Sequence, residues 1–589
     1  MRYLRILTNA VLAGLLAAVY IAILFLQLNP HLPTDLTALW PLLVVVIGFY
    51  GIHAAAFFYA MIVLRQVLSS ELLSPGWLSL RLLSWLSAAA ASGATLLMWL
   101  NLRGLRTALA EEAARRLGVG ALAMGLCALA LLAIAVVHYS FGRRGSVVGA
   151  SLFGLAVVAS VTLPVVARGE AVPRQFGSYP LDVDSASEPS RERSRVLMLL
   201  LDGASLDYLS LATADGRLPN FGRMLDSGAA MHLATLRPTQ PEPVWATVAT
   251  GKYPPRHGVI SASTYEVGSD FARLELLPDH CFAQALVYLG FLNESPASSA
   301  ELRSRPLWSV LSGQGVSVGI VGLALTHPVQ PIHGFVVSDR FHLMSDPLFD
   351  PLAAEAAYPE EAVSIGAAAM RDVRGQGVLN TKATGVEGSL APPAEAAPIW
   401  QDRVYSRIAD HLRVHFDGVR LFAVRYRGLD LAGHSFLPTQ VPLPLMGLGD
   451  ERGDAASLEA YYRQVDNEVG AVLDFLGPDD LFLVVSGFGM EPVTSSKRLF
   501  ASLVGDPDVT GTHENAPDGF LLAYGTQVEP GRHIPAGRWS TSLPRCCTIS
   551  ACRLLVTSTA WPARISSCRP LLKRAQSPLW HLTSAERVA

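Results

Sequence analysis

The chain has 589 residues, of which 51% are hydrophobic and only 16% are charged, and its formal net charge is −3. This length exceeds that of one compact domain, and a soluble protein carries more charge, so we expect a membrane-embedded region. The near-neutral charge provides no basic field for nucleic acid, and we expect no nucleic-acid partner.

Most of the excess apolar character lies in residues 1–168. The apolar stretches there are each close to the ~20 residues that cross a bilayer core. They predict a transmembrane domain of about five helices, with the lipid bilayer as partner, over residues 7–28, 40–64, 80–101, 118–138 and 146–167. A cleaved signal peptide is the alternative for the first stretch, which is long for one and lacks a clear cleavage site.

Almost no charge lies at mid-depth in these stretches, which favours a membrane anchor over a transporter. The nearest polar exceptions are His53 and Asn101, which we interpret as packing or interfacial residues. Arg2 and Arg5 favour a cytoplasmic N-terminus, so an odd number of crossings places the following domain outside the cytoplasm. The third loop disagrees, because its arginines between residues 103 and 116 would face outward.

The composition is rich in Arg relative to Lys and in Ala, Gly and Pro, which is typical of a GC-rich genome. This composition says nothing about function. From the five spans and the arginines of their loops we predict a multi-pass protein of the bacterial inner (plasma) membrane whose soluble domain is extracytoplasmic.

Residues 169–195 are polar, with Pro, Ser and charges, and predict a flexible linker. The next segment, Val196–Leu201, is apolar on both faces, as a central parallel strand is. Further strands are predicted at residues 316–321, 334–338, 421–426 and 481–486, and a short helix at 218–229. This alternation predicts an α/β domain with a mostly parallel, doubly wound sheet over residues 196–537.

Asp202 ends the first strand, and ligands of open α/β sheets bind beyond the carboxyl ends of strands. An Asp-Gly pair after a strand is, by itself, more often a turn. An ordered series of motifs follows along the domain: VLMLLLDG from Val196, PVWATVATGKYPPRHGV from Pro243, YRGLDLAGHSF from Tyr426, VVSGFGMEP from Val484 and GTHENAPDGFLL from Gly511.

In this order the motifs resemble the type I phosphodiesterase/nucleotide pyrophosphatase family of the alkaline phosphatase superfamily. The resemblance implies an alkaline-phosphatase-like domain that cleaves phosphoesters with two metal ions held at strand ends. It also implies a first metal site made of Asp430, His434 and His513. Three such ligands with an open position are typical of catalytic zinc, so a divalent metal, zinc before others, is the expected cofactor.

The second metal site of the family includes an aspartate like Asp202, which we count among the predicted metal ligands. Its Asp-His pair is missing here, because Gly487 and Phe488 stand at those positions and neither ligates a metal. An alternative ligand set adds Glu242 or Glu491 to Asp202.

The nucleophilic Thr or Ser of the family falls on Pro241, which has no hydroxyl. The nearest hydroxyl belongs to Thr239, which we predict as the catalytic residue. The alternative is that Thr239 hydrogen-bonds its own turn, and that water activated by the metal attacks phosphorus.

Residues 538–589 are rich in Cys, Ser and Arg and show no clean period. Relatives carry a stretch like APTLLYLLGLP at this point. In a shifted frame, the last base of each codon is read with the first two bases of the next codon. Codons for residues 544–552 and the flanking bases can then encode Pro-Leu-Leu-Tyr-Tyr-Leu-Gly-Leu-Pro. We interpret this aberrant tail as a frameshift near residue 538, which resequencing of the gene tests directly.

Together these features predict a membrane-anchored, metal-dependent phosphoester hydrolase or transferase. Its expected substrate is a phosphodiester or nucleotide pyrophosphate, or an envelope lipid by analogy of layout with lipoteichoic acid synthases and phosphoethanolamine transferases. The alternative is a catalytically degenerate envelope protein that uses the pocket for binding or assembly.

Overall fold

A computed structural model describes residues 1–68, 75–141, 147–172, 194–268, 273–383, 397–437, 455–494 and 510–538. The chain divides into two compact units, Met1–Gln175 with Ile260–Ala297, and Phe176–Val259 with Ser298–Ala589. Most of the predicted linker and nearly all of the aberrant tail lie outside the described residues, so both stay predictions.

The helices of the described residues, in chain order, are α1 (Arg2–Leu28), α2 (Leu36–Leu68), α3 (Leu80–Gly104), α4 (Glu111–Phe141), α5 (Val147–Arg168), α6 (Leu206–Ala214), α7 (Pro219–Ser227), α8 (Pro241–Thr250), α9 (Pro254–His257), α10 (Gln284–Tyr288), α11 (Leu307–Ser312), α12 (Ala353–Ala356), α13 (Glu360–Ala383), α14 (Ala397–His415), α15 (Gly428–Phe436) and α16 (Ala455–Phe475). Two 3₁₀ turns lie at Ser299–Glu301 and Phe341–Leu343.

The strands of the described residues are β1 (Val196–Leu201), β2 (Ala229–Ala234), β3 (Ser263–Glu266), β4 (Asn293–Pro296), β5 (Val318–Val321), β6 (Gly334–Val337), β7 (Ala357–Tyr358), β8 (Leu421–Tyr426), β9 (Leu481–Phe488), β10 (Glu491–Pro492), β11 (Gly511–Thr512), β12 (Asp518–Tyr524) and β13 (Arg532–Arg538). The strands and the short helix predicted from sequence are all present; β1 and β8 have the predicted ends, and the others differ by one or two residues.

The first unit contains α1 to α5, which are long and apolar enough to cross a membrane. The prediction of five apolar helices is therefore confirmed, and the chain has the helices of a multi-pass membrane protein. Each helix continues past its apolar stretch, because backbone hydrogen bonding does not stop where hydropathy falls. Arg168 ends α5 and donates to the carbonyl oxygens of Leu26 and Leu32. These hydrogen bonds connect the end of α5 to the C-terminal end of α1 and the turn after it.

The segment of residues 260–297 belongs to this first unit, although the sequence places it inside the continuous soluble domain. Two buried asparagines hold it to the helices. Asn29 accepts from the Leu276 amide over 3.0 Å and donates to the Leu276 carbonyl over 2.8 Å. Asn101 does the same to Asp279 over 2.8 and 3.0 Å, so its interpretation as a packing residue is confirmed.

The second unit is built on a nine-stranded sheet in the order β13-β2-β12-β9-β1-β8-β5-β6-β7. Strand β1 lies at its centre and pairs in parallel with both β8 and β9. The five consecutive strands β9, β1, β8, β5 and β6 run parallel to one another. The strands that flank them, β12 and β7, run antiparallel to their neighbours. The expected α/β fold with a mostly parallel central sheet is confirmed.

Because β1, β8 and β9 are adjacent and parallel, their carboxyl ends meet at one edge of the sheet. Asp202 follows β1, and α15 follows β8 after one residue. The turn after β1 approaches α15 closely, since a Cβ on Gly203 would lie 2.7 Å from the Cα of Asp430. Gly203 also has φ +73°, which glycine adopts without strain, so this contact requires glycine.

Candidate metal centre and active site

Three predicted ligands come together at the carboxyl edge of the sheet. Asp430 and His434 lie one turn apart on α15, and His513 follows β11 from a distant part of the sequence. One ligand atom from each of the three residues lies within 4.8 Å of the other two. The imidazole rings of His434 and His513 have centroids 5.2 Å apart. The i, i+4 spacing on α15 and the turn after β11 therefore bring the three side chains around a volume that a single ion would fill.

The two imidazole rings are held in the orientation that a metal ligand needs. Nδ1 of His434 lies 2.9 Å from the carbonyl oxygen of Gly511, and Nδ1 of His513 lies 3.0 Å from that of Thr239. A carbonyl oxygen only accepts, so each Nδ1 carries the proton and donates it. The Nε2 lone pair of each ring remains for a cation, as in metal-binding histidines whose other ring nitrogen donates to a carbonyl.

Asp430 provides the observation that tests whether a metal fits. Its Oδ1 is buried and has no hydrogen-bond partner among the described residues, and it lies 3.8 Å from Nε2 of His434. A buried carboxylate oxygen without a partner is costly unless a cation satisfies it. Burial raises the pKa of Asp430, His513 lowers it, and the nearby Asp202 raises it further. These three residues therefore fit a divalent cation with two nitrogen ligands and one oxygen ligand.

Asp402 fixes the start of α15 and was not identified from the sequence. Its buried carboxylate accepts from the amide of Arg427 over 3.0 Å and from that of Gly428 over 2.9 Å. These amides open the first turn of α15, so Asp402 satisfies donors that the helix leaves unpaired. Burial raises the pKa of Asp402 to about 8, although both amide bonds oppose the shift. A Cβ on Gly428 would lie 2.3 Å from the carboxylate, which explains the glycine there.

Asp202 is close to this cluster but is engaged differently. Nε of Arg425 donates to its Oδ1 over 2.8 Å, and Nη2 of Arg425 donates to its Oδ2. The indole Nε1 of Trp245 donates to Oδ1 over 2.9 Å. The ion pair is buried, with side chains only 1% and 0% exposed. Burial opposes the charge of Arg425, but Asp202, with Glu242 and Asp339, raises the pKa of Arg425 above its ordinary value.

The positions of the missing Asp-His pair are filled by apolar groups. Phe488 is fully buried and packs with Leu236 and Val244. A Cβ on Gly487 would lie 2.6 Å from Cγ1 of Val244, so a larger residue at position 487 requires Val244 to move. The ring of Phe488 also contacts that of His513, with centroids 5.2 Å apart. Phe488, which stands where the family has a metal-binding histidine, thus packs against His513 of the three-residue cluster.

Thr239 lies in the turn before α8 and is almost completely buried. Its hydroxyl donates to the Leu236 carbonyl over 2.7 Å, which is the turn hydrogen bond given as the alternative to a nucleophile. The Thr239 carbonyl accepts from His513, so Thr239 orients the His513 imidazole through its backbone. Pro241 begins α8 as its first residue.

In the part of the chain that the structure describes, neither glutamate of the alternative ligand set belongs to the group of converging ligand atoms formed by Asp430, His434 and His513. Glu491 accepts from the Asn515 amide over 3.1 Å. Burial raises the pKa of Glu242, which Arg425 and Arg427 partly offset. Glu242 therefore lies in the field of the same arginines that surround Asp202.

The order of the motifs, the topology and the cluster agree with one comparison. Residues 196–519 match the family model of type I phosphodiesterase / nucleotide pyrophosphatase, which covers more than half of the chain. The chain belongs to this family. The family is part of the alkaline phosphatase superfamily, and membership indicates phosphoester hydrolysis as the general reaction class. None of the curated proteins compared with the chain matches it.

Against the family pattern, the residues that sequence reasoning missed are Arg425, Trp245 and Asp402. Arg425 gave a signal, because it is the one charge in the apolar strand LFAVRY. A charge in a buried strand needs a partner, and Asp202 follows the adjacent strand. Trp245 lies in α8, which has no exposed residue, and Asp402 lies in α14, and neither gave a comparable signal.

Proposed function

We propose that the chain is a membrane-anchored, metal-dependent phosphoester hydrolase or transferase that acts on phosphodiesters or nucleotide pyrophosphates outside the cytoplasm. In this proposal Asp430, His434 and His513 hold one divalent ion, with zinc the first expectation. The observation that carries it is the convergence of two Nε2 lone pairs and a partnerless carboxylate oxygen on one volume.

A divalent ion at this position supplies Lewis acidity toward a phosphoryl oxygen and makes water nucleophilic near neutral pH. The residues of the chain do the rest. Gly511 and Thr239 keep both imidazoles deprotonated at Nε2 by accepting from Nδ1. Because the Thr239 hydroxyl is buried and donates to Leu236, water, rather than Thr239, is the attacking group.

Arg427 is the cation that we propose for the substrate phosphate. It lies between β8 and α15, next to the metal cluster, and its Nε is buried with no hydrogen-bond partner among the described residues. Its charge lowers the pKa values of Asp402, Asp430 and Glu242, so it lies near all three carboxylates. A guanidinium recognises phosphoryl oxygens through paired N–H donors.

The test uses the full-length chain in detergent with bis(p-nitrophenyl) phosphate, with zinc or manganese added and with a chelator. We expect turnover that depends on the metal and is abolished by His434→Ala. His232→Ala provides a matched control, since His232 is an exposed imidazole on β2. Equal turnover of the two variants, or turnover unaffected by the chelator, contradicts the proposal.

The second candidate is a non-catalytic envelope protein that uses the pocket for binding or assembly. It is favoured by Pro241, which provides no hydroxyl at the usual nucleophile position, and by the Arg425–Asp202 pair. Zinc bound by the wild-type chain and lost in His434→Ala, without turnover of any phosphodiester, supports this candidate over the enzyme.

A further inference from the structure

Donors from the chain itself occupy both oxygens of the Asp202 carboxylate. Both oxygens accept from Arg425, and Oδ1 accepts again from Trp245. A carboxylate offers about four lone-pair sites, and three are used by nitrogen donors. The guanidinium carbon of Arg425 also lies 5.6 Å from the centroid of the Trp245 ring, so the cation contacts this aromatic face as well. Binding a metal through Asp202 requires breaking this arrangement.

The register of β1 against β8 places Asp202 and Arg425 near each other. Leu200 of β1 aligns with Arg425 of β8 in the parallel pairing. Side chains alternate along a strand, so Asp202 projects from the same face as Leu200 and Arg425. This pairing places the two side chains on one face of the sheet, where they form a buried ion pair.

The Arg425–Asp202 pair is neutral without a bound ion. The family pattern sets two carboxylates and a histidine against a divalent ion at this place, and here Gly487 and Phe488 provide neither the second carboxylate nor the histidine. A buried unpaired charge costs several kcal/mol. Arg425 therefore provides the positive charge that Asp202 would otherwise take from a metal ion.

From these contacts we infer that the guanidinium of Arg425 takes the place of the second metal ion, so that the pocket binds one divalent cation per chain. Asp202 is then a partner of Arg425 and does not ligate metal. This inference rests on the proposed metal centre, yet it concerns the number of ions and not the reaction.

The test is a metal count by elemental analysis of the purified full-length chain, after exposure to zinc and removal of free ions. We expect one zinc per chain in the wild type, none in His434→Ala and one in Asp202→Asn. Two ions in the wild type, or fewer than one in a folded Asp202→Asn variant, overturn the inference. The wild-type count decides it even where Asp202→Asn fails to fold, which its thermal melt reveals.

The zinc count and the phosphodiester turnover test the inference and the proposed function separately. One zinc per chain without any phosphodiester turnover supports the inference and contradicts the enzyme. Two zinc ions with turnover contradict the inference and support the enzyme. No zinc in the wild type overturns both the inferred single site and the proposed metal dependence.

Discussion

The two halves of the candidate site satisfy their buried charges in opposite ways. In the half formed by Asp430, His434 and His513, ligand atoms converge and one carboxylate oxygen lacks a partner among the described residues. In the half formed by Asp202 and Arg425, each charge meets its counterion within the chain. The difference teaches that a buried carboxylate alone does not indicate a metal. What its oxygens contact decides between a site that needs a cation and one that contains its own.

Removing a ligand from the first half has the largest expected effect. Asp430→Asn keeps the shape but removes the charge that balances a divalent ion, so we expect turnover of a chromogenic phosphodiester to fall more than about 100-fold. Zinc content falls with it. Asp417→Asn, on an exposed aspartate, is the matched control and stays near wild type. Unchanged zinc content in Asp430→Asn contradicts the ligand assignment.

In the second half, breaking the ion pair should cost stability. Arg425→Met or Asp202→Asn leaves a buried charge without its partner, and we expect about 3–5 kcal/mol of lost unfolding free energy for each. The double variant removes both charges of the pair and should lose less than the sum of the two. Denaturant unfolding followed by tryptophan fluorescence measures the cycle. Additive losses contradict the pairing of these two side chains.

The two halves meet at Phe488, and a cavity there tests how far they depend on each other. Phe488→Ala removes a buried ring that packs with Leu236, Val244 and the His513 imidazole, so we expect a loss of about 3 kcal/mol. Weaker zinc binding should accompany it, because His513 loses a wall of its pocket. Phe488→Leu is the milder control. Zinc affinity equal to wild type in Phe488→Ala indicates that the halves are independent.

The pH dependence of stability tests Asp402, which caps the start of α15, the helix that carries Asp430 and His434. Its pKa is raised from 3.8 to about 8 by burial, so the folded state holds this proton while the unfolded state releases it. Stability from this group is therefore complete below about pH 4 and is lost as pH rises toward 8. We expect Asp402→Asn to remove roughly 2–3 kcal/mol of the decline between about pH 5 and pH 7. Denaturant unfolding at several pH values measures the slope, and equal slopes for variant and wild type contradict the assignment.

The smallest effect is expected at Thr239. Thr239→Val removes the hydroxyl that donates to Leu236 but keeps the carbonyl that orients His513, so we expect about 1 kcal/mol of lost stability and nearly unchanged turnover. Thr239→Ser, which retains the donor, serves as control. A loss of turnover by about 100-fold in Thr239→Val, restored in Thr239→Ser, would instead establish the hydroxyl as the nucleophile.

By itself the sequence determined the five apolar helices, the central strands and the motif order that marks the family, because these depend on local hydropathy and spacing. It also pointed to Asp430, His434 and His513, which the fold brings together. The pairing of Asp202 with Arg425 was decided only by the register of β1 against β8, which no local pattern encodes. The placement of residues 260–297 with the helices was likewise decided by long-range hydrogen bonds from Asn29 and Asn101. Local sequence sets which groups carry charge, and tertiary structure sets which partner each charge meets.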